Sequence, residues 1–66
     1  MTSTLLTTSE VADLLQVAPI TLRKWRLSGA GPLFIRCGAN VRYRRDDIDR
    51  WIADHTVTST SEVTHV

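Results

Sequence analysis

Seven basic side chains and no acidic one lie between residues 20 and 45: Arg23, Lys24, Arg26, Arg36, Arg42, Arg44 and Arg45. All seven acids fall outside that window, at Glu10, Asp13, Asp46, Asp47, Asp49, Asp54 and Glu62. The formal net charge of +1 conceals this separation. The chemistry that such a segment suits is neutralisation of a polyanion, because each Lys or Arg that meets a phosphate releases condensed counterions. The competing reading is a solvated, charge-segregated surface with no ligand. Other chemistries find less support. No nucleophile–base pair is visible, so no catalytic residue is assigned and an enzyme is not expected. Cys37 stands alone on an expected strand and reads as a small apolar residue, not as a redox sensor or metal ligand. His55 and His65 lie at a helix end and in the tail, too far apart to suggest paired ligands, so neither metal nor cofactor is expected. The four aspartates from Asp46 to Asp54 read as a solvated helix face.

The basic window must be carried by definite elements. Thr7-Thr8-Ser9-Glu10 fits a capping box, in which a threonine oxygen caps the first turn and a glutamate three residues on reaches back. Val11 and Leu15 then share a face, so a helix is expected from about Thr8 to Gln16. Pro19 suits the first position of a second helix, where its missing N–H costs nothing. That helix is expected to run to Ser28, with Leu22 and Trp25 inward and Gly29 at its end. Ala18 occupies the cap position without a side-chain oxygen, a loss of about 1 kcal/mol relative to serine.

Ala30-Gly31-Pro32 starts a turn. Leu33 to Cys37 is strand-like, and Gly38-Ala39-Asn40 supplies a three-residue tip tolerant of positive φ. Val41-Arg42-Tyr43-Arg44 alternates, with Val41 and Tyr43 on one face and Arg42 and Arg44 on the other. A third helix is expected from Arg45 to about Asp54, with Asp46 and Asp47 at its positive end. Trp25, Trp51 and Tyr43 read as core anchors. Residues 1–6 are expected to be a lead-in, and residues 56–66 a flexible Thr/Ser/Val tail after a domain spanning 1–55.

The order of helix, turn, helix, hairpin and helix is that of a winged helix-turn-helix, a mainly α fold with a two-stranded wing. A helix fits the major groove of B-DNA, where its early outward residues meet base edges. Here those are Ile20, Thr21, Arg23 and Lys24. Thr21 suits a phosphate or a thymine methyl, and Arg23 a guanine or a phosphate; Lys24 and Arg26 suit phosphates. Arg36 and Arg42 flank the wing tip, and the narrow minor groove of A·T-rich DNA attracts arginine. Thr8, Asn40 and Arg44 complete the expected DNA-binding set.

Leu6 to Leu15, Thr21-Leu22-Arg23-Lys24-Trp25-Arg26, Gly29 to Pro32, Val41 to Arg45, and Asp47-Ile48 through Trp51-Ile52 together resemble the MerR-related helix-turn-helix family, in particular its small phage excisionases and AlpA-type regulators. The resemblance covers about residues 5 to 54. It implies a second helix in the major groove and a wing in the minor groove. It also implies cooperative self-association on repeated DNA sites, DNA bending and a partner integrase steered towards excision. Many such proteins also regulate transcription. Two departures are visible: Ala18 replaces the usual serine or threonine, and no coiled-coil helix follows Trp51.

Sixty-six residues make one small domain, and chains this short bury only about 60% of their unfolded surface, which leaves little room for a deep cleft. The single cysteine excludes an internal disulfide, and neither a signal peptide nor a membrane span of about 20 apolar residues is visible. A bacterial or phage-encoded cytoplasmic protein is expected, with double-stranded DNA as partner. The absence of a sensor domain favours the excisionase over a plain transcriptional regulator. A protein-interaction adaptor that uses the same scaffold without DNA is the third reading.

Overall fold

The computed structural model describes residues 4–57. The elements are β1 (Leu5–Thr7), α1 (Thr8–Leu15), α2 (Pro19–Ser28), β2 (Ile35–Cys37), β3 (Asn40–Arg44) and α3 (Arg45–Asp54). Three helices and a small antiparallel sheet make a winged helix-turn-helix.

Local chemistry accounts for the helix ends. The Glu10 N–H donates to Thr7 Oγ1 at 3.1 Å, and the Thr7 N–H donates to Glu10 Oε1 at 2.8 Å, so the capping box is complete. α1 stops where Gln16 turns left-handed, at φ 56°. The Val17 N–H then donates to the Ala12 carbonyl at 3.0 Å, which keeps the link to α2 short. α2 starts with Pro19 in its first turn and no side-chain cap from Ala18. It ends at Gly29, with the Ala30 N–H donating to the Trp25 carbonyl at 2.8 Å.

The sheet differs from the expected two-stranded ribbon. Leu5 and Leu6, expected within a lead-in, join Thr7 in a third strand, and the strand order is β1-β3-β2. A three-residue strand has too few positions to show a period of two, and its partner lies far along the chain. The hairpin tip is also shorter than expected. Cys37 pairs with Asn40, so the loop is Gly38-Ala39 alone and Asn40 belongs to β3. Gly38 has φ 62° at the first loop position, the arrangement of a type II′ turn, whose twist matches that of the flanking strands. Leu33 and Phe34 precede β2 instead of extending it.

The core is Val11, Ala12, Leu22, Tyr43 and Ile48, all at most 2% exposed. Leu6, Leu15, Val17, Trp25, Phe34 and Val41 pack around it. Trp51 sits at the margin, half-buried, with its ring centroid 5.5 Å from that of Trp25 and 4.1 Å from that of His55. Thr56 donates its hydroxyl to the Ile52 carbonyl; the rest of the expected tail, from residue 58, lies outside the described residues.

Candidate nucleic-acid interface

α2 divides cleanly into two faces. Leu22 is buried, while Thr21, Trp25 and Arg26 are half-buried. Ile20, Arg23, Lys24 and Leu27 are exposed, and their spacing of i, i+3, i+4 and i+7 lines them on one outward stripe. Among the described residues, neither Arg23 nor Lys24 makes a hydrogen bond or ion pair, so both heads are available to a ligand. Thr21, expected to read the groove, turns partly inward and lies off this stripe. Leu27 was not anticipated at the site. The seven-residue step from Ile20 is the signal that reveals it.

Arg26 shares α2 with Arg23 but works differently. Its Nη1 donates to Tyr43 Oη at 2.8 Å and to Thr8 Oγ1 at 3.3 Å, and its Cζ lies 5.8 Å from the Phe34 ring centroid. One guanidinium thus ties α2 to the first turn of α1 and to β3. Thr8 and Arg26, both expected on DNA, are bonded to each other.

Register decides where the wing arginines point. Arg36 pairs with Val41, which puts it on the face that carries Tyr43 and the core. Its Cζ lies 6.0 Å from the centroid of Phe34, the same ring that Arg26 approaches. Arg36 therefore belongs to the α2 side of the sheet. Arg42 sits opposite Ile35 and Thr7, and Arg44 opposite Leu5, so both occupy the other face, as does Asn40. Arg36 and Arg42 flank the tip on opposite faces and do not act as a same-side pair. Arg42 is half-buried and donates from Nη1 to the Val41 carbonyl at 2.8 Å. Arg45 pairs with Asp49 at 3.0 Å, an exposed contact worth a few tenths of a kcal/mol at about 0.3–0.5.

The acids gather elsewhere. Asp47 and Asp54 line a shallow notch with Gly31, Leu33, Arg50 and Trp51, which suits no anion. Cys37 is exposed on the edge strand β2. Among the described residues no cluster of His, Cys, Asp or Glu could hold a metal ion, and no helix is long and apolar enough to cross a membrane.

What remains is an acid-free outward helix face and a basic wing residue beside the ring that Arg26 of the same helix approaches, in an architecture used to bind duplex DNA. No curated protein matches the chain significantly. A family profile described as a helix-turn-helix domain, a family that includes AlpA- and excisionase-like regulators, matches residues 5–56. The match spans β1 through α3 and points to DNA binding, and the chain belongs to the helix-turn-helix domain family.

Proposed function

We propose that this chain is a sequence-specific double-stranded DNA-binding protein of the MerR-related excisionase type, acting in the cytoplasm. In this role it binds repeated sites, associates cooperatively along them, bends the DNA and directs a partner integrase towards excision. The observation that carries the DNA reading is the pairing of two surfaces. The outward face of α2 presents Arg23 and Lys24 with no acid between them, and Arg36 of the wing approaches Phe34, the ring that Arg26 of α2 also approaches. α2 enters the major groove, where Arg23 suits a bidentate contact to guanine and Lys24 a phosphate. Arg36 on one face of the wing, with Arg42 and Arg44 on the other, would meet phosphates on both sides of an adjoining groove. The excisionase part of the reading rests on the joined motifs from Leu6 to Ile52.

Two measurements test this. Binding through about five phosphates loses roughly 500-fold in affinity between 50 and 200 mM salt. A flat salt dependence, or no binding to any duplex, would favour the adaptor. Recombination between the attachment sites of the host element, with and without the protein, tests the excisionase role. Unchanged excision together with site-specific DNA binding would leave a transcriptional regulator.

A further inference from the structure

The outward stripe of α2 is not uniformly polar. Ile20 is 54% exposed and Leu27 is 78% exposed, and they flank Arg23 and Lys24. A single exposed aliphatic residue needs no explanation. Two on one stripe, bracketing the two unpaired cations of the helix, call for an occupant that is both anionic and locally apolar. The major groove of DNA is such a surface. Its floor is mostly hydrogen-bonding edges, broken by the C5-methyl groups of thymine and, much less prominently, by the C5–H of cytosine. An aliphatic side chain pressed on a polar edge desolvates a donor or acceptor without replacing its partner. Against a thymine methyl it loses nothing and buries apolar area on both sides.

Geometry sets the spacing. Seven residues of α-helix at about 1.5 Å each separate Ile20 from Leu27 by about 10 Å along the axis. Base pairs follow at about 3.4 Å per step, so the two side chains stand about three steps apart. Thr21, the other residue suited to a thymine methyl, is half-buried and off the stripe, which leaves this role to the aliphatic pair. We infer that Ile20 and Leu27 are specificity-determining residues that select thymine at two positions about three base pairs apart, on either side of the contacts made by Arg23 and Lys24. This rests on the proposed DNA-binding role of α2 and adds a content to its target.

The test starts from a pool of random-sequence duplexes. Sites are selected with the full chain, with Ile20→Ala and with Leu27→Ala, two exposed helix positions where alanine is well tolerated. The wild-type pool should enrich thymine at two positions about three base pairs apart. Each variant should lose enrichment at one of them. The selected duplex is then remade with deoxyuridine at each position, which removes the methyl alone. Wild-type affinity should fall about fourfold per methyl, the equivalent of about 0.8 kcal/mol, and the matching variant should not distinguish the two duplexes. Variants that select the wild-type sequence, or equal wild-type binding to uracil and thymine duplexes, would overturn the thymine inference while leaving DNA binding in place. A wild-type pool with no enriched sequence would overturn the sequence-specific role of α2 itself, and this inference with it.

Discussion

Replacing Tyr43 by phenylalanine removes one oxygen atom from the centre of the domain. The ring is 1% exposed and among the largest fully buried side chains, and phenylalanine fills the same space. The loss is therefore confined to the bond that Tyr43 Oη accepts from Arg26 Nη1 at 2.8 Å. Bonds to charged groups contribute about 1.5–3 kcal/mol. Arg26 is only half-buried and retains Thr8 Oγ1 at 3.3 Å, so the lower end applies. A loss of about 1.5 kcal/mol lowers Tm by about 6–12 °C in a domain of this size. Thermal unfolding followed by far-ultraviolet circular dichroism measures it directly. Arg26→Met and the double variant complete a cycle, whose coupling energy should reach about 1 kcal/mol because the two residues touch. A Tm for Tyr43→Phe within about 2 °C of wild type, or fully additive losses, would show that Arg26 does not fasten α2 to the sheet.

Three further outcomes are expected. Gly31 has φ +79°, and a Cβ there would meet Trp25 Cε3 at 2.8 Å and Trp25 Cβ at 2.9 Å. Gly31→Ala should therefore lose about 2–4 kcal/mol by denaturant unfolding, through backbone strain and overpacking together, and a loss under about 1 kcal/mol would contradict the close approach. Ala18→Ser should gain about 1 kcal/mol by capping α2, seen as a Tm higher by about 4–8 °C; an unchanged Tm would mean that the first turn is already satisfied. Arg23→Ala should weaken binding to the selected duplex by about 1–3 kcal/mol and to random duplex by less, and equal losses on both would assign Arg23 to phosphate.

The short-range features of this fold were legible in its residues. The Thr7–Glu10 capping box, Pro19 in the first turn of α2 and Gly29 at its end are settled by groups within about four residues of one another, and each appears where the sequence places it. The helical period likewise turns Ile20, Arg23 and Lys24 outward, and the same period contained Leu27, which composition alone marks as a core residue. β1 was not legible, because three residues carry no period and their partner Arg42–Arg44 lies across the whole helix-turn-helix.

The roles of the individual arginines are where tertiary structure decided. Arg23 and Arg26 are equally basic and three apart on one helix, yet one is exposed with no partner among the described residues and the other is held by Tyr43 and Thr8. Arg36 and Arg42 both flank a hairpin tip, and only the two-residue loop between Cys37 and Asn40 sends them to opposite faces. Charge is a property of a residue and can be counted along the chain. The direction in which a charge points is set by strand register and by the groups that distant segments bring beside it, and those arise only when the core closes around Leu22, Tyr43 and Ile48.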